Sequence, residues 1–272
     1  MTEEILVLGP TGKTGRRVVR ALEALDVQVR AASRSSALRF DWADESTWQA
    51  ALSGVTAAYV IPPYDPAAAA PFVALARESG VRRLVLLSGR GLDDTPAEFF
   101  AGMHAAEKAL HESDLSWTIL RANNFNQNFS EEIWQHEVRA GRLALPVDDT
   151  PEPFVDVQDI ADVAALALTS GEHDGQTYNL TGPAAITFDE ALGKISAVVG
   201  RQIELVRQTP SEYHESLVAL GVSSDEATEL GALYAGMRSG LLATPTDDVS
   251  RLLGRPAIDF DTYIGGATEA WR

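Results

Sequence analysis

Short runs of uninterrupted apolar residues alternate along the chain with longer stretches in which apolar side chains recur every three or four positions. Ile5-Leu6-Val7-Leu8 is the first such run, and four apolar residues in a row read as a parallel strand covered on both faces. Behind it, Arg16 to Leu22 places Val18, Val19 and Leu22 at helical spacing. The pattern then repeats. Val27–Ala32, Leu38–Trp42, Thr56–Ile61, Arg83–Gly89 and Leu115–Arg121 read as strands. Ser46–Leu52, Ala67–Ser79 and Pro96–Ser113 read as helices, the second stopped by Gly80. Strand and helix in strict alternation require a parallel sheet with right-handed crossovers, so the fold class is α/β with a doubly wound sheet. From Gly141 the rhythm shortens. Leu143-Ala144-Leu145, Phe154-Val155 and Thr177–Leu180 are brief apolar pieces between helices at Val157–Leu168, Phe188–Val199 and Asp225–Arg238. No Pro/Gly/Ser-rich linker intervenes, which predicts a smaller lobe rather than an independent domain.

The turn leaving the first strand carries the clearest chemistry. Gly9-Pro10-Thr11-Gly12-Lys13-Thr14-Gly15 sits between a strand and a helix, the setting in which a glycine-rich turn holds a dinucleotide. Gly9 allows the tight turn, Gly12 lets backbone approach a diphosphate, and Gly15 lets helix pack closely on strand. Thr11, Lys13 and Thr14 fill the loop, and the N–H groups and dipole of the helix start favour an anion. The spacing is G-x-x-G-x-x-G rather than G-x-G-x-x-G, and a turn without a ligand is the alternative.

The end of the second strand bears on which dinucleotide. An NAD site places an acid there for the ribose 2′-hydroxyl, whereas NADP needs positive charge for the 2′-phosphate. The residues are Ser33-Arg34-Ser35-Ser36 with no acid among them, and Asp26 lies before the strand. Arg34 therefore points to NADP, the alternative being a solvated loop arginine. Asp41 and Trp42 fall near the adenine edge, with Trp42 equally suited to the core. Ile61, Pro62 and Ser88, at carboxyl ends of strands, are assigned to the cofactor side, and Tyr64 to the substrate mouth. The amide-rich exit of the sixth strand, with Asn123, Asn124 and Phe125, is assigned to substrate, or else caps the next helix.

Composition narrows the field. With 22 basic against 39 acidic residues, a formal charge of −17, the chain lacks a broad footprint for nucleic acid or an anionic membrane. It has no cysteine, which excludes disulfides, thiolate metal sites and cysteine nucleophiles. Its five histidines show no metal-ligand spacing, no G-x-S-x-G elbow occurs, and Gly9 stands too close to Gly12-Lys13-Thr14 for an ATP-type phosphate loop. No metal is expected. No apolar run approaches the length of a membrane span, so a soluble cytoplasmic protein acting on a small molecule is expected; a homo-oligomer is left open.

Three blocks, Gly9–Gly15, Leu120-Arg121-Ala122-Asn123-Asn124-Phe125 and Phe154–Val163, together resemble the NmrA-like family of atypical short-chain dehydrogenases, which includes NADPH-dependent quinone reductases. The resemblance implies a Rossmann-like domain over residues 1–150, with 154–182 on its sheet side, a smaller α/β lobe over 183–272, and substrate in the cleft between them. It implies phosphate contacts at Gly9, Thr11, Gly12, Lys13, Thr14 and Gly15, and a 2′-phosphate contact at Arg34. Asp156, Asp159 and Asp162 resemble a structural signature. Short-chain dehydrogenases commonly use Tyr-x-x-x-Lys; this chain offers His104-Ala105-Ala106-Glu107-Lys108, making His104 and Lys108 the catalytic candidates. Surface positions for both are the alternative. Two functions follow: an NADPH-dependent oxidoreductase passing hydride to a quinone or similarly activated acceptor, and an NADP(H)-binding sensor that regulates a partner without turnover.

Overall fold

The computed structural model describes residues 4–272. Among the described residues, one sheet has seven strands, β1 (Glu4–Leu8), β2 (Gln28–Ser33), β3 (Leu38–Arg39), β4 (Ala57–Val60), β5 (Arg83–Gly89), β6 (Ser116–Ala122) and, after a shorter strand β7 (Arg142–Leu145) that lies elsewhere, β8 (Gln176–Leu180). Their order is β3-β2-β1-β4-β5-β6-β8, parallel throughout. The order reverses between β1 and β4, and the crevice at such a switch point is where ligands bind in open α/β sheets.

Chain alternation decides which helix covers which face. Leu6, Leu8, Ala58, Val60, Leu84 and Leu86 share one core with α2 (Trp48–Leu52), α3 (Ala69–Glu78) and α4 (Ala101–His111), where Phe40, Trp42, Trp48 and Phe72 form an aromatic cluster. Burying each large side chain of this kind is worth about 1.5–3 kcal/mol. On the other face lie α1 (Gly15–Glu23) and α6 (Val157–Thr169), packed on each other. The third strand is shorter than the apolar pattern predicts. It ends at Arg39 because the Asp41 N–H donates to Thr47 Oγ1 and the Asp41 carboxylate accepts the Ala43 N–H, turn bonds that compete with a ladder.

The chain separates into two compact units. The first comprises the chain up to Leu92, Phe100–Ala122 and Val157–Leu180; the second comprises Asp93–Phe99, Asn123–Asp156 and Thr181–Arg272. This differs from a boundary at residue 150, because Phe129, Trp134, Val138, Leu143 and Phe154 pack with Phe188, Leu192 and Ile195 of α7 (Phe188–Val199). β7 is likewise paired in parallel with β9 (Glu204–Arg207), not with the large sheet. The second unit also holds α5 (Gln135–Ala140), α8 (Pro210–Ala219), α9 (Ser224–Arg238), α10 (Asp248–Leu253) and α11 (Phe260–Ala267). Three of its helices, α7, α8 and α9, open on full capping boxes: Thr187 with Glu190, Thr209 with Glu212, Ser223 with Glu226.

Candidate cofactor site

The glycine turn leaves β1 at the switch point. Gly9 has φ +65°, its N–H donates to Ala32 O at 3.1 Å, and a Cβ there would stand 2.9 Å from Ile61 Cδ1. Gly15 opens α1 so close to the turn that a Cβ would fall 2.1 Å from Gly9 O, backbone that cannot swing aside. Gly12 is different. Its N–H donates to Gly9 O at 3.0 Å, yet an added Cβ would lie at an ordinary 3.4 Å from that oxygen. The fold therefore requires glycine at 9 and 15, whereas at 12 a Cβ would meet only ordinary contact within the chain. The N–H groups of Thr11 and Thr14 donate to no described residue, and Thr14 has no side-chain cap bond. Lys13 is buried within the same loop.

Beside the turn runs a groove of about 490 Å³ lined by Leu8, Gly9, Ser33, Arg34, Phe40, Asp41, Trp42, Ala43, Ile61, Pro62, Tyr64 and Asp65. Ser33 Oγ accepts the N–H groups of Ser35 and Ser36 at 3.2 and 3.1 Å, which shapes the turn that presents Arg34. Arg34 itself is exposed and makes no hydrogen bond or ion pair with any described residue. Asp41 is held in place by the Ala43 N–H and Arg39, both at 3.1 Å, while its carbonyl accepts Trp48 Nε1–H at 2.8 Å. Trp42 lines the groove and packs edge-on to Phe72 at 4.7 Å. Tyr64, expected at a substrate mouth, stands 71% exposed on the wall of this groove. Its backbone is pinned, since a Cβ on Gly102 at the start of α4 would fall 1.9 Å from Pro63 O.

At the carboxyl ends of β5 and β6 a buried network replaces the expected His104–Lys108 pair. Ser88 Oγ donates to Glu107 Oε1 at 2.6 Å, and Arg121 donates to the same carboxylate through Nε at 3.0 Å and a terminal nitrogen at 2.6 Å. Glu107 and not Lys108 faces the sheet. Lys108 is 73% exposed, 3.9 Å from Glu112, because one helical step of about 100° turns it to solvent. His104 stays at the inner end of α4 with Nε2 buried and without a hydrogen-bond partner. The hydroxyl proton of Ser88 is committed to Glu107.

Asn123, Asn124 and Phe125 belong to the second unit. The Asn123 and Asn124 amides both donate to buried Glu152 Oε1, at 2.6 and 3.2 Å, and Phe125 forms a bridge with Val155. Their donors thus organise the chain itself. Asn126, in the same amide-rich stretch, has both side-chain amide atoms buried without partners. Glu107 escapes sequence reasoning too, although a glutamate at an inward helical position facing a strand arginine is the signal for it. Among the described residues no group of three His, Asp or Glu could hold a metal, and no helix is long and apolar enough to cross a membrane.

A glycine turn with idle amides, a groove at the switch point and an unpaired guanidinium beside it define a dinucleotide-binding α/β protein, and the residues present fit such a ligand. The NAD(P)H-binding family matches residues 9–171, and the chain belongs to that family. Over 278 residues it is 30% identical to the prestalk A differentiation protein A of Dictyostelium discoideum, covering 95% of this chain and 90% of that one. It is 29% identical to the NAD(P)H azoreductase of Xenophilus azovorans, over 95% and 96% of the two chains. In structure it resembles the triphenylmethane reductase of Citrobacter sp. solved with NADP(H), with a TM-score of 0.80 at 24% identity over 97% and 99%. It also resembles an NADPH-dependent quinone oxidoreductase of Escherichia coli solved with NADPH, with a TM-score of 0.83 at 21% identity over 96% and 99%.

Proposed function

We propose that the chain is an oxidoreductase that uses NADPH to reduce a quinone or a similarly electron-poor small acceptor. The observation that carries the preference for NADPH is Arg34: an unpaired cation in a chain of net charge −17, held on the wall of the nucleotide groove where an NAD site would carry an acid. The azoreductase relative supports an acceptor with a conjugated, easily reduced system. When bound, the cofactor supplies the hydride. The chain supplies position. The Thr11 and Thr14 amides and the start of α1 hold the diphosphate, Arg34 pairs with the 2′-phosphate, and Asp41 and Trp42 border the adenosine groove. Glu107 ties β5 and β6 to α4 through Ser88 and Arg121, which fixes the first turn of that helix and the His104 ring on it. His104 is the residue assigned to pass a proton to the acceptor, and Lys108, on the exposed helix surface, takes no part. A quinone accepts hydride readily, so holding reactants together supplies most of the acceleration.

Mixing the purified protein with NADPH and a panel of quinones, azo dyes and imines should bleach the nicotinamide absorbance. Failure with every acceptor overturns the enzymatic reading. One observation favours a sensor without turnover: Lys108 on the helix surface leaves no acid pair of the usual short-chain dehydrogenase kind. A sensor requires unequal affinity for NADP⁺ and NADPH, since a ligand shifts an equilibrium only through differential binding.

A further inference from the structure

Tyr59, in the middle of β4, is wholly buried, and its hydroxyl oxygen has no hydrogen-bond partner. It lies beside Val7 of β1 and Val85 of β5 in the ladder. Residues two apart on a strand share a face, and Ile61, two positions on, is the side chain that meets Gly9. Tyr59 therefore sits behind the glycine turn. Its polar neighbour there is Thr14, buried at the residue before α1, whose side chain also lacks a cap bond. Burial pushes the phenol well above its ordinary range, with Thr14 opposing in part, so the group is a neutral O–H donor. A phenylalanine would fill the same space without the cost of an unsatisfied buried hydroxyl. Stability gives no reason for the oxygen.

Resting on the dinucleotide reading above, we infer that Tyr59 is a positioning residue for the cofactor diphosphate: its hydroxyl donates to Thr14 Oγ1 and thereby turns the Thr14 O–H outward to the phosphate. A hydroxyl donates one proton and accepts through two lone pairs, so Thr14 accepts from below and donates above at once.

The test is Tyr59→Phe, read by equilibrium binding rather than turnover. Direct titration should show NADPH affinity reduced roughly three- to tenfold, the range of one hydrogen bond. Affinity for 2′-AMP, which occupies the adenosine groove but has no diphosphate, should stay unchanged. The thermal midpoint of the unliganded variant should equal or exceed that of the parent. In a Thr14→Val background, Tyr59→Phe should have no further effect on NADPH. Unchanged NADPH affinity, an equal loss for 2′-AMP, or additive losses in the double variant would each overturn the assignment. A parent protein that binds no NADPH would instead remove the dinucleotide reading beneath it.

Discussion

Replacing Arg34 with alanine isolates the charge on which the NADPH preference rests. The side chain is exposed and bonds to no described residue, so its removal costs the fold nothing beyond the usual surface range of about ±0.5 kcal/mol. Any effect on binding is then an effect on the ligand. A hydrogen bond between charged partners contributes about 1.5–3 kcal/mol, which converts to roughly 10- to 150-fold in affinity. Exposure places Arg34 in the lower half of that range, so NADPH should bind roughly 10- to 40-fold more weakly. NADH, lacking the 2′-phosphate, should bind within about twofold of the parent affinity. Raising salt should weaken NADPH binding to the parent protein and change little in the variant, because the Debye length falls to about 3 Å at 1 M. Fluorescence titration with both cofactors at two ionic strengths measures all of this. An NADPH-to-NADH ratio unmoved by the substitution would refute the role of Arg34, and a parallel loss for both cofactors would locate the effect in the turn instead.

The glycines divide by the same method. Gly15→Ala forces a Cβ to 2.1 Å from Gly9 O and should lower the thermal midpoint as well as abolish cofactor binding, whereas Gly12→Ala should leave the midpoint within about 2 °C and weaken binding alone. Breaking the buried Glu107–Arg121 pair from one side with Glu107→Ala should cost about 3–5 kcal/mol by urea unfolding, while replacing both with a Leu/Met pair should recover most of it; a loss under about 1 kcal/mol would show the pair to be solvent-screened. Asp259 caps α11, and the Thr262 N–H holds its carboxyl below the ordinary range. A depressed value means its contribution is full above the unfolded value of about 3.9 and disappears as pH falls through the folded one. Asp259→Asn should therefore lower the urea midpoint at pH 7 and leave it nearly unchanged at pH 2.

How much of this was legible in the chain follows from the range over which each signal acts. The glycine turn, its flanking strand and helix, and the absence of an acid beside Arg34 are local, so order along the chain suffices to place them. The sheet followed from alternation of apolar runs, because a strand buried on both faces has no other way to be covered. The third strand was overestimated where Asp41 and Thr47 made turn bonds that no apolar count registers. Lys108 turned out to lie on the exposed surface of α4, for i, i+4 spacing relates two helix positions but does not say which of them meets the sheet. That choice was made by Arg121, ten residues past the helix end, whose guanidinium needed a carboxylate and drew Glu107 inward. The asparagines after β6 show the same limit, for their amides donate to Glu152, about thirty residues on. Contacts of this kind are invisible until the chain has folded. Among the described residues, His104 Nε2 and both side-chain amide atoms of Asn126 are conversely buried without a hydrogen-bond partner. A fold that meets its internal needs elsewhere keeps such groups at a cost, and ligand chemistry is the place to look for the return.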